Sequence, residues 1–462
     1  MRARPHGMAI RRGLALAVVA LAGLLLAGIP AMLARDTGAT VTLDPAHRFQ
    51  TIAGWEATAD LPDHPGAPEW DGYIDALLDR AVSDVGITRI RLEVRSGAET
   101  RSDDPDRFMT GKIGYDQWKT LRYKAENDND DPFDLDPSGF NFAELDWHVR
   151  HTVLPLRERI EARGGRLVVN LCYVAFRSGR FFQMEPEEYA EFVLATYRHL
   201  DETFGFTPDL WEVMLEPDLK ERSWTGHDMG LAMAATAKRL REAGYTPAFV
   251  APSVTNMANT LPYAREILAV PGARDAWREL SYHRYRGTSP QTLKTIADFA
   301  RANGLDTAML ELWFGRAGPR VLYEDLAIGN NVAWQGRVVQ GLLSFEDGRL
   351  DYAPEVRFTR LYFTAIRPGA VRIGAASDAL GRVAPVAFVN PGGGTAVVLL
   401  LDRTTRAGDE VTLRGLPPGR YALRWATTTD SLDTPRELTA GADGGLVLTL
   451  PGGAGVLSLV AE

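Results

Sequence analysis

Two glutamates stand at positions that could do chemistry. Glu216 ends the run Trp211-Glu212-Val213-Met214-Leu215-Glu216-Pro217-Asp218, and Glu311 ends Ala308-Met309-Leu310-Glu311-Leu312-Trp313. Each run is strand-like, largely apolar, and finishes in a carboxylate. A carboxylic acid that keeps its proton can hand it to a departing oxygen, while a second carboxylate held ionised attacks the carbon left behind. Two such groups about 5 Å apart substitute at an acetal carbon with retention of configuration. They need different surroundings to hold different protonation states. Neighbouring segments offer support. In Gly86-Ile87-Thr88-Arg89-Ile90-Arg91-Leu92, Arg91 shares parity with Arg89. A guanidinium beside Glu311 would keep that carboxylate ionised; a salt bridge to Glu93 is the plainer use of Arg91. In Ser281-Tyr282-His283-Arg284-Tyr285, His283 and Tyr285 point the same way, and both can donate to a carboxylate or a hydroxyl. Trp55, Trp313 and Trp334 offer indole faces on which a sugar can stack, with core packing as the plainer alternative. Asn170 and Tyr173 complete the candidates.

These groups need elements to position them. Strand candidates at 49–54, 87–94, 166–173, 210–216, 247–251, 279–285, 307–312 and 331–335 alternate with amphipathic segments, among them 73–85, 142–162, 186–203, 227–243, 290–302 and 318–328. Eight strand–helix units predict an α/β chain with a (β/α)8 TIM barrel. Catalytic groups then sit at the C-terminal strand ends, and the fourth and seventh strands bring Glu216 and Glu311 across the mouth from each other. A doubly wound sheet is the alternative, but no Gly-rich phosphate loop follows any strand. After Pro368-Gly369 the helical pattern stops. Alternating strands at 386–390, 395–401, 410–413, 421–427 and 446–450, with Gly, Pro and Asp turns between them, predict a C-terminal antiparallel β-sandwich. The expected division is a barrel at 49–366 and a sandwich at 367–462, with 36–48 as a linker or a strand joining the sandwich. Residues 96–139 form an acidic, turn-rich insertion after the second strand, which should border the site. Its run Glu126-Asn127-Asp128-Asn129-Asp130-Asp131-Pro132-Phe133-Asp134 resembles calcium-binding loops in composition but lacks an EF-hand's glycine and distal glutamate. A solvated acidic loop is the plainer reading, and no metal or cofactor is expected.

The chain has 462 residues, 51 Lys plus Arg against 60 Asp plus Glu, and a net charge of −9. An acidic chain with no basic tract beyond its N-terminus argues against nucleic acid as a partner. The single cysteine, Cys172, leaves no intramolecular disulfide. Arg2, Arg4, Arg11 and Arg12 precede an uncharged apolar run at 13–33. That run matches both a signal peptide and, at about 20 residues per bilayer, a retained membrane anchor. Ala31-Met32-Leu33-Ala34 fits a cleavage site poorly, and the flanks of Arg11-Arg12 do not fit a twin-arginine signal. Residues 1–35 are therefore expected to export the body to the periplasm or the exterior, cleaved or as an anchor.

Several of these runs resemble clan A glycoside hydrolases, family 30 above all. Phe49-Gln50-Thr51-Ile52-Ala53-Gly54-Trp55 is similar to the clan's opening strand, and Gly86 to Leu92 to its second strand with Arg91 at the family arginine. Trp211 to Pro217 resembles the acid/base strand, Leu310-Glu311-Leu312-Trp313 the nucleophile strand, and His283-Arg284-Tyr285 the sixth-strand His-x-Tyr. Arg367-Pro368-Gly369-Ala370-Val371-Arg372-Ile373 resembles the family 30 passage into its side sandwich. The likeness spans nearly all of the chain after residue 48. It implies Glu216 as acid/base and Glu311 as nucleophile of a retaining enzyme cleaving a β-linked oligo- or polysaccharide. One departure stands out: the family has Asn before the acid/base Glu, where it bonds the sugar 2-hydroxyl, and this chain has Leu215. Another group replaces it, or the substrate lacks that hydroxyl, or activity is low. A catalytically weak or inactive glycan-binding envelope protein on the same barrel is therefore the second functional reading. A metal-dependent barrel hydrolase is disfavoured, because no His/Asp cluster falls at the strand ends.

Overall fold

Strands here alternate apolar and charged residues, and that alternation sorts them into two faces. In Arg89–Arg95, the side chains of Ile90, Leu92 and Val94 join the large apolar cluster formed with the surrounding helices, including Leu77, Val85, Val149 and Val153. Arg89, Arg91, Glu93 and Arg95 take the opposite face, as a two-residue period requires. The computed structural model describes residues 38–59, 73–177, 179–219, 224–346 and 348–462. The targeting segment expected at 1–35 lies outside them, and among the described residues no helix is long and apolar enough to cross a membrane.

After β1 (Gly38–Thr51), eight strands close in sequence order into a parallel barrel. They are β2 (Gly54–Thr58), β3 (Arg89–Arg95), β4 (Val168–Val174), β5 (Leu210–Glu212), β6 (Phe249–Asn256), β7 (Trp277–Arg286), β8 (Asp306–Glu311) and β9 (Asn331–Val338). Helices between them cover the outside, with ends set by local chemistry. Pro186–Phe204 has proline in its first turn and stops at Gly205, whose left-handed φ of 69° glycine adopts without steric cost. Gly226–Glu242 opens in a capping box between Thr225 and Asp228.

The floor of the barrel is polar and densely hydrogen-bonded, with Asn170 Oδ1 and Glu212 Oε1 the exceptions without a partner among its oxygens. The Arg89 guanidinium donates to both Glu279 oxygens, at 2.6 and 2.8 Å, and to Glu56. Asn170 Nδ2 donates to Glu212 at 3.0 Å, and Gln335 Nε2 to Thr58 Oγ1 at 3.0 Å. Charges this deep persist only with partners, since an unpaired one would carry a large desolvation cost.

The chain leaves the barrel through the hairpin β10 (Leu343–Glu346) and β11 (Arg349–Tyr352) and the helix Val356–Ala365. It then forms β12 (Val371–Ser377), β13 (Val383–Val389), β14 (Thr395–Leu401), β15 (Glu410–Arg414), β16 (Gly419–Thr427), β17 (Ser431–Ala440), β18 (Leu446–Thr449) and β19 (Gly455–Ala461). The order β17-β16-β19-β14-β13-β12-β1-β15-β18 makes one sheet. Residues from distant strands, such as Val41, Leu413, Tyr421, Leu448 and Leu457, share one apolar core, so the sheet folds over into a sandwich. It departs from the all-antiparallel expectation at one pair: β1 runs parallel to β15.

The expected first barrel strand at 49–54 is divided. Residues 49–51 finish β1, where Thr51 pairs with Val371, and the barrel strand begins at Gly54. Between them, Ile52 is held by Ala370 and Gly369 through backbone bonds of 2.9 and 2.7 Å.

Candidate active site

β5 ends at Glu212, four residues before Glu216, yet the chain stays stitched between β4 and β6. Val213 N–H donates to Val250 O at 3.0 Å, Leu215 to Tyr173 O at 3.1 Å and Glu216 to Ser253 O at 3.1 Å. Glu216 has φ 49° and Ser253 φ 51°, left-handed values that cost a non-glycine residue on the order of 1 kcal/mol or more. The loop is tied down by Asp218, whose carboxylate accepts from Thr255 N (2.7 Å), Asn256 N (3.1 Å) and Asn259 Nδ2 (2.9 Å). Glu311 is aimed differently. Along the β7–β8 pair, Tyr282 faces Met309 but His283 faces Glu311, so Leu310 is an extra residue. Such a bulge re-aims the next side chain, and it sets Glu311 beside His283.

The two carboxylates converge. Ligating atoms of Glu216, His283 and Glu311 lie within 4.8 Å of one another. Arg91 Nη2 donates to Glu311 Oε2 at 2.7 Å, and Tyr285 Oη donates to Glu311 Oε1 at 2.8 Å. His283 Nδ1 lies 3.2 Å from Glu216 Oε1. Burial opposes protonation of His283 most strongly, but the negative charges of Glu311 and Glu216 together outweigh it and hold the imidazole above its ordinary value. Burial and the adjacent Glu311 push the Tyr285 phenol up, so it stays a donor. Glu93 bonds Arg91 at 3.0 Å; despite burial, Arg95 and Arg91 draw it below the usual carboxylate range. Above these groups opens a cleft of about 560 Å³, lined among others by Glu216, Glu311, Tyr285, Trp313 and Leu215. The trio is compact enough to bracket an ion, but the oxygens of Glu311 already face a guanidinium and a phenol. The arrangement suits proton handling beside a fixed anion.

Six expected residues thus meet: Glu216, Glu311, Arg91, His283, Tyr285 and Trp313. The Trp313 ring lies 5.6 Å from the Arg91 guanidinium carbon, and its Nε1 donates to Gln335 at 3.2 Å. Asn170 lies deeper, on the barrel floor, bonded to Glu212. Three expectations are corrected. Trp55 and Trp334 are not platforms at the mouth. Glu56 and Gln335, their chain neighbours, take the inward positions and leave both indoles outside the barrel. Trp55 Nε1 donates to Ile366 O at 2.7 Å and its ring stacks on Phe363 at 4.5 Å. Trp334 Nε1 donates to Asp325 at 2.9 Å. Tyr173 also points outward, edge-on to Tyr189 and Phe192, with its hydroxyl donating to Gln183 at 2.7 Å.

The cleft also contains residues the sequence reading did not select. Glu93 and Arg95 extend the parity of Arg89 and Arg91, a signal present in the sequence. Tyr115, Arg122 and Tyr123 come from the insertion, which borders the cleft as expected. Phe314, 81% exposed with φ 62°, stands beside Tyr285. Leu215 packs with Cys172, Val174 and Tyr123 and gives the cleft an apolar wall next to Glu216.

No family model and no curated protein matches the chain. Solved structures do. A GH30 endoxylanase from Clostridium papyrosolvens aligns with a TM-score of 0.65 at 16% identity, covering 92% of this chain and 100% of that one. The catalytic domain of the GH30 xylanase C from Talaromyces cellulolyticus gives 0.63 at 14%, with the same coverage. An endo-β1,6-glucanase gives 0.63 at 15%, covering 92% of this chain and 95% of its own. These likenesses establish the fold, that of glycoside hydrolase family 30 structures.

Proposed function

We propose that this chain is a retaining glycoside hydrolase acting on a β-linked oligo- or polysaccharide, with Glu311 as nucleophile and Glu216 as acid/base. The observation that carries the reading is the meeting of two buried carboxylates in one cleft, within 4.8 Å of each other and of His283. Retaining glycosidases need their carboxyl groups about 5 Å apart, whereas inverting ones leave roughly 6.5–9.5 Å for a water. Arg91 and Tyr285 each donate to one oxygen of Glu311 and so fix the carboxylate's orientation. Glu216 donates its proton to the glycosidic oxygen as Glu311 attacks the anomeric carbon. The resulting glycosyl ester is then hydrolysed by a water that Glu216 deprotonates. Trp313, Tyr115 and Phe314 supply aromatic faces for sugar rings in the cleft. Export of the body rests on the basic and apolar N-terminal sequence.

Leu215 supports the second reading, a glycan-binding protein of weak or no activity. The Leu215 side chain, 4% exposed, has no polar atom with which to bond a sugar hydroxyl beside the acid/base position. An assay on a panel of aryl β-glycosides and polysaccharides separates the two, with trapping by a fluorinated glycoside. Turnover lost in Glu311→Ala and Glu216→Ala, with the label mapped to Glu311, supports the hydrolase. Glycan binding without turnover in the wild type favours the binder, and a label on any other residue rejects the assignment of Glu311.

A further inference from the structure

The acidic run of the insertion meets the helix Pro186–Phe204 outside the cleft lining, and the carboxylates there are not balanced. Glu191 is 1% exposed, and neither of its oxygens has a hydrogen-bond partner. Asp128 is 4% exposed with Oδ1 unpartnered, while its Oδ2 accepts from Asp136 N at 2.6 Å and Asn129 Nδ2 at 3.1 Å. Glu188 Oε2 and Asn127 Oδ1 are also unpartnered. Local bonds gather these groups. Glu188 and Glu191, three residues apart on one helix, share a face. Asn127 Nδ2 donates to the other Glu188 oxygen at 3.5 Å. Asp128 N donates at 3.2 Å to Glu99, whose second oxygen accepts from Gln183 at 2.5 Å. Arg239 is the cation acting on Glu188 and Glu191, but its donors go to Pro132 O at 2.7 Å and Glu187 at 3.3 Å.

A buried carboxylate with no donor is costly. Two remedies exist, a proton or a cation. Several orphaned oxygens from neighbouring side chains, which one ion can satisfy together, favour the cation. Five of them, from three carboxylates and one amide, come without cysteine or histidine, which is the hard-oxygen donor set of calcium. Magnesium prefers to keep its waters and to meet fewer protein oxygens.

We propose that Asn127, Asp128, Glu188 and Glu191 form a calcium site that fastens the insertion to the helix Pro186–Phe204. Glu191 takes the ion through both oxygens, and Asp128, Glu188 and Asn127 each add one. Their carboxylates are less tightly gathered than Glu216, His283 and Glu311, so the ion draws the side chains inward on binding. The insertion fixed this way is the one that contributes Tyr115, Arg122 and Tyr123 to the cleft. The site does not depend on the catalytic reading.

The test uses the full chain, stripped with EDTA and titrated with calcium chloride at pH 7.5. One calcium per chain is expected by calorimetry, with a saturable rise in Tm of roughly 3–5 °C at a hundredfold excess over Kd. Magnesium chloride should shift it less. Glu191→Gln and Asp128→Asn should bind no calcium and lose the shift. Stripped Glu191→Gln should melt above stripped wild type, because one unbalanced buried acid is gone. Glu311→Gln should keep the calcium response, which separates this site from the cleft. Absence of calcium binding in the wild type, an equal response to magnesium, an unchanged response in Glu191→Gln, or its loss in Glu311→Gln would each overturn the proposal.

Discussion

Glu311 owes its character to two side chains that hold its two oxygens from different strands. Tyr285 supplies one bond, at 2.8 Å, without a charge of its own. A hydrogen bond to an ionised group contributes about 1.5–3 kcal/mol. Tyr285→Phe should therefore lower kcat/KM by roughly 10- to 150-fold while the fold persists, measured on an aryl glycoside the wild type accepts. A loss under threefold would separate Tyr285 from the chemistry. His283 makes a stability argument instead. The folded chain holds its proton above the ordinary value of 6.5. That contribution is complete below about pH 6.5 and disappears as pH rises through the higher folded value. In urea unfolding between pH 5.5 and 9, wild type should lose stability relative to His283→Gln over that window; parallel curves would show that the imidazole is not so held. At this scale the sequence was informative where chemistry selects the residue type. That the two glutamates, Arg91, His283 and Tyr285 would come together was legible in the strand pattern, although Glu216 stands in the loop four residues past the end of β5. Trp55 and Trp334 could not, because a tryptophan beside a strand end looks the same on either face until the position of Glu56 or Gln335 fixes parity.

Among the elements, the insertion is the one built from its own small parts. The pairing of Glu99 with Phe140 draws its ends together, and Phe108, Ile113 and Trp118 give it a core of its own. Gly139 makes this closure possible: a Cβ there would meet Asp128 Cβ at 2.2 Å and Asp128 Cα at 2.9 Å. Those contacts involve backbone-proximal atoms that cannot swing away, so Gly139→Ala must displace the 127–128 segment. A cost of about 1–3 kcal/mol is expected, the usual range for overpacking, with the cleft groups of the insertion shifted as well. Chemical denaturation together with the KM of the variant checks this, and an unchanged midpoint would show that the segment moves freely. Such a contact leaves no trace in a one-residue pattern. The sequence showed an acidic, turn-rich stretch, while Glu188, the bonding partner of Asn127, lies on a helix some sixty residues later. The bulge at Leu310 was equally hidden, since it exists only in the register of β8 against β7.

For the whole molecule, the decisive strand is the first. β1 sits inside the second sheet, antiparallel to β12 on one side and parallel to β15 on the other, before the chain enters the barrel at Gly54. Arg372 of β12 then links this strand to the barrel side, where Gln50 Nε2 also donates to Leu326 O at 2.8 Å. Arg372 donates to Gln50 at 2.7 Å and to Asn330 at 2.6 Å, with its guanidinium 3.6 Å from the centre of the Phe49 ring. The alternation after Pro368 made the sandwich legible, and the strand–helix repeat made the barrel legible. The run at 49–54 misled because its apolar pattern serves two sheets in succession, and only long-range pairing with Val371 divides it. A chain begun at residue 49 should therefore fail as a whole. It lacks both ladders of β1 and the burial of Val41 and Leu43, a loss of roughly 3–6 kcal/mol from those two side chains alone. With β12 and β15 left as open edges, the expected product is aggregated, or it melts its sandwich well below the barrel in calorimetry. A chain begun at residue 38 should keep one cooperative transition. If the chain begun at residue 49 melts like the longer one, β1 is an accessory to the sheet and the barrel-to-sandwich joint is carried by Arg372 and its partners.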